Sequence, residues 1–305
     1  MRRVLVIMGA TATGKSGLAL ALAEAAGREI VSADSRQIYR GLRVGTAQPT
    51  ADERARVPHH CVDFLAPSER WSARAFAEEA LGLLRREDRP AALVVGGTGF
   101  YLESLWAGLF PAEIPAAELA ALREVFAADD GPALHARLAA LDPESAARLH
   151  PNDRQRVARA LEVALATGRP LSAHHAEGRE APVDIAWTRV WLRVERPLLR
   201  ERIARRLDAM LAGGWPEEVE ALLAGGADPG WPGLQALGYP ELVARLAGRL
   251  DAEEARERIL LRTAQFAKRQ ETWFRNRGRA DAVLDPDDAA TPERLRALLE
   301  AGGAA

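Results

Sequence analysis

The chain has 305 residues, of which 48% are hydrophobic and 28% are charged, with a net charge of −2. This balance is typical of a globular protein and excludes a globally basic nucleic-acid binder, so any basic surface must be local. The single cysteine, Cys61, excludes an internal disulfide. Apolar runs fall short of the ~20 residues of a membrane span. We expect a cytoplasmic protein that does not associate with membranes.

The N-terminal third predicts alternating strands and helices. Strands are expected over residues 3–8, 29–34 and 91–97, and helices over 15–26, 72–86 and FYLESLWAGL, residues 100–109. This alternation favours a parallel sheet with helices on its faces. Ligands bind such sheets at the carboxyl ends of strands, which is where residues 9–16, Asp34 and Thr98 are expected.

Residues 9–16, GATATGKS, match the pattern G-x-x-x-x-G-K-[ST] between a predicted strand and a predicted helix. In this pattern backbone N–H groups surround phosphate oxygens, Lys15 reaches the outer phosphate and Ser16 can bind Mg²⁺. A protein that hydrolyses nucleotides also needs a carboxylate after an apolar strand to hold the metal. The strand LVVGGTG, residues 93–99, offers no acid. The missing acid argues against a nucleotide as the ligand, but the strand predicted over residues 29–34 ends in Asp34, a carboxylate that could hold a metal.

Two residues at predicted strand ends each have two open interpretations. Asp34 could be a metal ligand or a general base, or it could cap a turn. Thr98 follows paired glycines. Its hydroxyl could face the site, or it could cap the helix that begins near Phe100.

Residues from about 112 to 183 show no convincing strand and predict an all-helical insertion. A strand is expected again over 186–195, and the remainder is predicted to be helical, with the last long helix over 251–277. The predicted fold class is α/β, a P-loop parallel β-sheet core flanked by helices with an all-helical insertion domain. The predicted domains are residues 1–111 (first part of the core), 112–184 (insertion) and 185–305 (completion of the core).

Basic residues concentrate near the C-terminus. Residues 256–279 contain eight basic and two acidic residues, a local charge of +6, with aromatic side chains such as Phe266 interleaved. This composition suits a phosphate backbone, but the same helix could bury its apolar residues and leave its arginines in water. Two of the 41 basic residues, Lys15 and Lys268, are lysines, and the others are arginines. Lys268 therefore either has a function that needs a lysine or has been retained by chance. A weaker cluster places Arg156 and Arg159 at helical spacing.

Two pairs of adjacent histidines look like metal sites at first sight. They lie in PHHCVD, residues 58–63, and in AHHAEG, residues 173–178. Neither has the ligand spacing of a zinc site. We predict a loop for the second and no metal at either.

Eight segments, in the same order along the chain, resemble the tRNA dimethylallyltransferase family, whose members isoprenylate an adenosine beside the anticodon. They span about residues 5 to 277 and read GATATGKS, IVSADSRQIYRGLRVGTAQP, VPHHCVDFLAP, VVGGTGFYLESL, NDRQRVARALEVALATGRPLS, ERIARRLDAMLAGGW, LQALGYPELV and AQFAKRQETWFRN. The resemblance implies that the phosphate cradle binds dimethylallyl diphosphate with Mg²⁺. It also implies that the partner is tRNA, bound through the anticodon loop. We expect the protein to act as a monomer.

The resemblance implies a role for particular residues. Asp34 is similar to the general base for the adenine N6 amine, Thr98 to a threonine near the reacting centre, and Arg206 to an arginine that clamps the diphosphate, with Arg202 as the alternative. The implied diphosphate site comprises Gly9, Ala10, Thr11, Ala12, Thr13, Gly14, Lys15 and Ser16, with Ser16 as metal ligand. The implied tRNA contacts are Asp34, Ser35, Arg36, Gln37, Thr98, Arg123, Gln155, Arg156, Val157, Ala158, Arg159, Gln235, Gly238, Tyr239, Lys268, Arg269 and Gln270.

Two positions depart from the family pattern. Ala120 stands where the family usually has an arginine, with Arg123 nearby, and Ala264 stands where an arginine often precedes the glutamine, here Gln265.

Two other functions are open. A small-metabolite kinase would use Asp34 as base and the insertion as a lid, but the basic last helix and the acid-free strand argue against it. A non-catalytic RNA-binding module would not need the intact Lys15 and Ser16.

Overall fold

The computed structural model describes residues 1–108, 114–178 and 181–301. The chain divides into two compact units, one of Met1–Trp106 with Pro182–Ala305 and one of Ala107–Ala181. The predicted domain boundary between residues 111 and 112 and the end of the predicted helix at residue 109 lie outside the described residues.

The first unit is built on a six-stranded sheet in the order β3-β2-β4-β1-β5-β6. The strands are β1 (Arg2–Gly9), β2 (Ile30–Ala33), β3 (His59–His60), β4 (Leu93–Gly96), β5 (Ile185–Leu192) and β6 (Ala282–Leu284). Every pair of neighbouring strands is parallel. Strands β2 and β4 are buried throughout, which is why their sequences are largely apolar and do not alternate with exposed polar residues. The predicted α/β fold with a parallel sheet is confirmed.

Fourteen helices are present in the described residues. They are α1 (Lys15–Ala25), α2 (Ala51–Arg56), α3 (Ala73–Leu84), α4 (Gly99–Ala107), α5 (Ala116–Ala127), α6 (Gly131–Leu141), α7 (Pro143–Arg148), α8 (Arg154–Thr167), α9 (Leu171–Ala176), α10 (Arg196–Ala212), α11 (Trp215–Ala224), α12 (Tyr239–Leu246), α13 (Ala252–Arg277) and α14 (Thr291–Ala301). Within the described ranges, none combines the length and the apolar character needed to cross a membrane.

Three local predictions were wrong. Strand β3 was not predicted, and β6 lies in a stretch predicted to be helical; both are edge strands of two or three residues, too short for a hydrophobic pattern to identify. The predicted loop AHHAEG instead contains most of α9, which begins directly after Pro170. Proline fixes a backbone angle that suits the start of a helix.

Helix α1 anchors the loop that precedes it. Its residues Ala19 and Ala23 are fully buried in a core that includes Leu5 and Ile7 of β1. Small side chains let the helix approach the sheet closely. The chain between β1 and α1 is thus held at both ends by buried elements.

The second unit, which contains α5 to α9, has its own apolar core. Phe126, Leu134, Leu138, Val157 and Leu161 are buried together in that core. A unit with its own core is stabilised largely by contacts within itself.

A buried carboxylate joins two helices of the second unit. Asp142, 1% exposed, caps α7 by accepting the N–H of Ser145 at 3.0 Å, and it also accepts the N–H and hydroxyl of Ser172 at 2.9 and 2.6 Å. Burial by itself would raise the pKa of Asp142, but these hydrogen bonds outweigh it and lower the pKa to about 2. The charged form is therefore the form that stabilises the fold.

We predict that Asp142→Ala destabilises the second unit by about 2–4 kcal/mol, because buried N–H donors lose their acceptor. A lowered pKa means that the stabilisation is complete above about pH 4 and is lost as the pH falls towards 2. Hydrogen exchange of the α7 and α9 amides at neutral and acidic pH measures it. Glu144→Gln, at an exposed site, is the control. Equal protection in wild type and Asp142→Ala at neutral pH would contradict the prediction.

Candidate active site

A cavity of about 610 Å³ lies at the carboxyl edge of the sheet. Its wall is formed by the chain that follows β1, β2 and β4, together with residues of α10 and α13. All of its lining residues belong to the first unit. This is the edge at which ligands bind parallel sheets, and the predicted convergence of residues 9–16, Asp34 and Thr98 is observed there.

The phosphate loop, residues 9–16, turns tightly between β1 and α1. Ala12 and Gly14 have positive φ angles of 62° and 85°, conformations that glycine adopts at little cost. Gly14, Lys15 and Ser16 line the cavity. The first N–H groups of a helix have no acceptor within it and carry its positive dipole end, so this edge suits an anion.

Lys15 is held within the loop. Its ammonium donates to the carbonyl of Ala10 at 3.2 Å. Part of the side chain is accessible from the cavity, but desolvation of the ammonium lowers its pKa to about 8, with Asp34 opposing the shift and Arg206 adding to it. An anion bound here would favour the charged lysine.

Two arginines on α10 line the same cavity and differ in their partners. Arg206 Nη1 donates to the hydroxyl of Thr11 in the phosphate loop at 3.4 Å. Burial lowers the pKa of Arg206, and Asp34 opposes that shift; an arginine stays charged at neutral pH nevertheless. Arg202 instead forms an ion pair with Asp287. Of the two, Arg206 is the arginine in contact with the loop.

Asp34, Ser35 and Thr98 form one cluster. Asp34 Oδ1 accepts the N–H of Arg36 at 2.8 Å, and Thr98 Oγ1 accepts the N–H of Ser35 at 3.0 Å. The turn interpretation of Asp34 therefore holds for one carboxylate oxygen, while the residue also lines the cavity. Thr98 lines the cavity as well.

The chain after β2 forms a second wall of the cavity, and hydrogen bonds within this segment fix its conformation. Gln37 Oε1 accepts the hydroxyl of Ser32 at 2.9 Å, and its Nε2 donates to the carbonyl of Ala47 at 2.8 Å. Gln48 Nε2 donates to the carbonyl of Tyr39 at 2.7 Å. Both glutamine amides thus bind protein groups.

Glu218 on α11 binds residues 43–45 of this wall. Its carboxylate accepts the N–H groups of Arg43, Val44 and Gly45 at 2.7, 2.6 and 3.2 Å and the hydroxyl of Tyr239 at 2.7 Å. Charge-assisted hydrogen bonds of this kind are stronger than neutral ones. Glu218 therefore fixes the loop from a neighbouring helix.

Several residues of the predicted site do not face the cavity. Thr13 is buried and its hydroxyl donates to Ala10, so its side chain supports the loop from behind and does not face the cavity. Whether its backbone contacts the ligand stays a prediction. The side chains of Val157 and Tyr239 are fully buried. They contact protein groups, which differs from the prediction that they contact tRNA. Gly238 packs on Trp215.

Helix α13 carries the basic cluster and presents two faces. Lys268, Arg269 and Arg275 are exposed, and within the described ranges none of them is in an ion pair. Phe274 is buried. The helix thus buries apolar side chains on one face and exposes basic side chains on another; the burial matches the core interpretation, and the contact with a phosphate backbone stays a prediction. Phe266 departs from the core interpretation because it is 38% exposed and lines the cavity.

The other predicted tRNA contacts have mixed surroundings. Arg123 and Arg159 both pair with the buried carboxylate of Glu162, at 2.9 and 3.0 Å. Arg156 is exposed and pairs with Asp153 at 3.3 Å. Arg36 and Gln235 are exposed residues of the first unit, and each donates to a backbone carbonyl. On α8, Gln155 is exposed and Ala158 is half-buried.

An apolar wall of the cavity was not predicted. Ile203, Leu207 and Met210 of α10 line it with Ile259 of α13 and Trp215. Their spacing along α10 follows the i, i+4, i+7 pattern of one helical face. That pattern marks an apolar face but does not distinguish a core from a cavity wall.

The described residues contain no group of three or more His, Cys, Asp or Glu side chains placed to hold a metal ion. The histidines of β3 have other partners: His60 Nε2 lies 2.8 Å from Glu29, and His59 Nδ1 lies 2.7 Å from the carbonyl of Val57. A divalent cation in the cavity would therefore take part of its oxygen ligands from a bound ligand or water, as is common for Mg²⁺, and Ser16 is the hydroxyl that residues 9–16 offer at the start of α1.

We predict that Arg206→Ala weakens binding of inorganic diphosphate by about 10- to 100-fold, because a desolvated charge-assisted hydrogen bond is removed. Arg202→Ala should weaken it by less than about threefold, since that guanidinium is already paired with Asp287. Calorimetry with inorganic diphosphate measures both. A larger effect of Arg202→Ala would show that Arg202 is the clamp.

The sequence matches two family profiles, described as IPP transferase over residues 37–277 and as isopentenyl transferase over residues 2–58. The tRNA dimethylallyltransferase of Halorhodospira halophila is 48% identical over 286 residues, which cover 92% of this chain and 91% of that protein. That of Geobacter sulfurreducens is 45% identical over 280 residues, 90% of this chain and 89% of that protein.

Solved structures agree with the sequence matches. The full-length tRNA isopentenylpyrophosphate transferase of Bacillus halodurans superposes with a TM-score of 0.70 at 31% identity, over 99% of this chain and 98% of that one. A eukaryotic dimethylallyltransferase acting on tRNA superposes with a TM-score of 0.82 at 28% identity, over 98% of this chain and 78% of that one. The predicted resemblance is confirmed: the chain belongs to the IPP transferase family, whose curated relatives are tRNA dimethylallyltransferases.

Proposed function

We propose that this protein transfers the dimethylallyl group of dimethylallyl diphosphate to the N6 amine of the adenosine at position 37, next to the anticodon of tRNA. The observation that carries the proposal is a cavity lined by Lys15 and Arg206 at the phosphate loop and by Asp34, whose neighbour Ser35 is hydrogen-bonded to Thr98. A cationic wall and a carboxylate are what this reaction requires.

The phosphate loop suits the diphosphate leaving group. As the bond between the allylic carbon and the diphosphate oxygen breaks, negative charge collects on the diphosphate. Lys15, Arg206 and the N-terminus of α1 neutralise that charge. Mg²⁺, when bound, would add further neutralisation. The hydroxyl of Ser16, exposed at the start of α1, is the protein group that would hold it.

Asp34 suits the role of general base. The N6 nitrogen forms a bond to the allylic carbon and must lose a proton, which the Asp34 carboxylate would accept. Its hydrogen bond from the Arg36 N–H fixes the carboxylate. Ser35 and Thr98 belong to the same cluster as Asp34 and offer hydroxyl groups to the adenine. The apolar wall with Met210 suits the dimethylallyl group.

The target adenine must leave the anticodon-loop stack to reach Asp34, and proteins recognise such single-stranded loops in RNA more readily than duplexes. Lys268, Arg269 and Arg275, which are in no ion pair within the described ranges, offer positive charge to the phosphate backbone. The helices of the second unit, with Arg156 exposed, are proposed to supply further contacts. We place the enzyme in the cytoplasm and propose that it acts as a monomer.

A small-metabolite kinase is not favoured. The chain after β4 reads Gly97-Thr98 and supplies no carboxylate. The named relatives are tRNA dimethylallyltransferases over about nine-tenths of the chain. Consumption of ATP without tRNA would support the kinase instead.

We expect the purified protein, given total tRNA, Mg²⁺ and dimethylallyl diphosphate, to produce an adenosine heavier by one dimethylallyl group, detected by mass spectrometry of digested tRNA. Asp34→Asn keeps an acceptor for Arg36 but cannot take the proton. It should lower the single-turnover rate by about 10²–10⁴-fold and leave the Kd for tRNA within about twofold.

The matched control is Asp52→Asn, an exposed aspartate in the first turn of α2, which should behave as wild type. An equal loss of tRNA affinity and of rate in Asp34→Asn would show that Asp34 binds tRNA and does not act as the base. No modified nucleoside with the wild-type protein would overturn the proposed reaction.

The basic face of α13 makes a separate prediction. Replacing Lys268, Arg269 and Arg275 together with alanine should weaken tRNA binding and flatten its salt dependence by about 0.7–0.9 in log–log slope for each phosphate that these side chains neutralise in the wild type. Arg256→Ala, whose guanidinium is paired with Asp208 at 2.7 Å, should change the slope little. Filter binding over a salt series measures both, and an unchanged slope in the triple variant would exclude this face.

A further inference from the structure

Gln270 occupies a buried position on α13, between two loops of the site. It is 8% exposed. Its Oε1 accepts the N–H of Thr11 in the phosphate loop at 2.9 Å, and its Nε2 donates to the carbonyl of Gly97 at 2.8 Å. One carboxamide thus joins the chain after β1 to the chain after β4.

The close approach of Gly97 shows how tight this bridge is. A Cβ atom on Gly97 would lie 2.5 Å from Gln270 Nε2 and 3.2 Å from the carbonyl oxygen of Gly9. Gly97 is buried. Any side chain at this position would displace the amide, so the bridge requires glycine here.

The bridge connects to the cluster around Asp34, the proposed general base, on one side and to Arg206, the proposed diphosphate ligand, on the other. Thr98 follows Gly97, donates its N–H to Ala33 at 3.1 Å and accepts the N–H of Ser35. On the other side the Thr11 hydroxyl accepts from Arg206. Hydrogen bonds and the covalent backbone at Thr11 and Gly97-Thr98 therefore connect the Arg206 guanidinium to the cluster of Asp34, Ser35 and Thr98.

We infer that Gln270 is a positioning residue: it sets the distance between the phosphate loop and the cluster of Asp34, Ser35 and Thr98. The inference rests on the proposed function, which places the leaving diphosphate at the loop and the attacking amine at the cluster. The reacting carbon and nitrogen must meet at about 3–3.5 Å with their orbitals aligned. The relative position of the two loops decides whether they do.

The chemistry of the bridge requires a carboxamide. The Thr11 N–H needs an acceptor and the Gly97 carbonyl needs a donor, and a neutral amide offers both from one side chain. A glutamate at position 270 would accept from Thr11 but would repel the Gly97 carbonyl. It would also add negative charge where the diphosphate is proposed to bind.

This role differs from the tRNA contact that the family resemblance implied for Gln270. Both polar atoms of the amide bind protein backbone, and the side chain is buried. Its neighbours Lys268 and Arg269 are exposed on the outer face of α13. Loss of the bridge should therefore affect the bound donor and the chemical step, and leave tRNA affinity unchanged.

The test uses Gln270→Met, which fills a similar volume without polar atoms, and Gln270→Glu, which keeps the Thr11 acceptor. The matched control is Gln265→Met, at an exposed position of the same helix. The readouts are the Kd for inorganic diphosphate with Mg²⁺, the Kd for tRNA and the single-turnover rate at saturating substrates. Thermal unfolding checks that each variant is folded.

For Gln270→Met we expect weaker diphosphate binding by about tenfold and a rate lower by about 10- to 100-fold, since an error near 1 Å costs about that much. The Kd for tRNA should stay within twofold, and Gln265→Met should match wild type. If Gln270→Met does not fold, Gln270→Glu is measured with the same expectations. A tRNA Kd that rises with an unchanged rate overturns the inference and makes Gln270 an RNA contact. Wild-type values throughout also overturn it.

Gly97→Ala supplies an independent check on the same bridge. It should lower the rate in the wild-type background because its methyl group displaces the Gln270 amide. Its effect should be clearly smaller in a Gln270→Ala background, where the amide is absent and the methyl group has room. Fully additive effects would show that the two residues do not act through each other.

Failure of the proposed function is distinguishable from failure of this inference. If the wild-type protein binds diphosphate but does not modify tRNA, the proposed reaction fails. The effect of Gln270→Met on diphosphate binding still decides whether the amide positions the loop.

Discussion

Positive charge held away from bulk water is the constraint on which this site depends. Lys15 and Arg206 are both desolvated at one wall of the cavity, and the carboxylate that interacts with both is Asp34. Two cations and one carboxylate leave this wall net positive. Removing a charge from water is unfavourable unless other charges compensate for it. The diphosphate proposed to bind here would provide that compensation, and its binding would relieve a cost that the folded protein carries without it.

The order of strands explains why so few residues connect the whole site. Strand β4 lies between β2 and β1, so the chain after β4 emerges between the chain after β2 and the phosphate loop. Thr98 can then contact Ser35 on one side, while Gly97 faces Gln270, and through it Thr11, on the other. Each of these hydrogen bonds joins residues that are more than 60 positions apart in sequence, but the sheet places them side by side.

The central strands of the sheet could be predicted because buried parallel strands are largely apolar. The position of the site at their carboxyl ends could be predicted because the phosphate loop has a strong pattern. Asp34 and Thr98 were predicted at the site since both follow such strands. Strands β3 and β6 could not be predicted, because two or three residues paired at an edge carry no periodicity.

Side-chain direction within helices was harder to predict. Tyr239 and Val157 lie in segments that resemble tRNA-binding stretches, but only packing shows that they point inwards. Gln270 was predicted to contact tRNA for the same reason. Its two backbone partners are 173 and 259 positions away in sequence, so local sequence could not identify them.

Helix α13 explains how a small enzyme could position one amine of a large RNA. It is a single helix of 26 residues. Gln270 lies on its inner face, and Lys268 and Arg269, which form no ion pair with the residues that the structure describes, are exposed on its outer face. A helix is stiffer than a loop, so groups on its two faces keep a fixed relation. The surface proposed to hold tRNA and the amide that spans the reaction site therefore belong to one rigid element. Any error in docking the RNA backbone on α13 is then limited by the helix and is not increased by loop motion between the two sites.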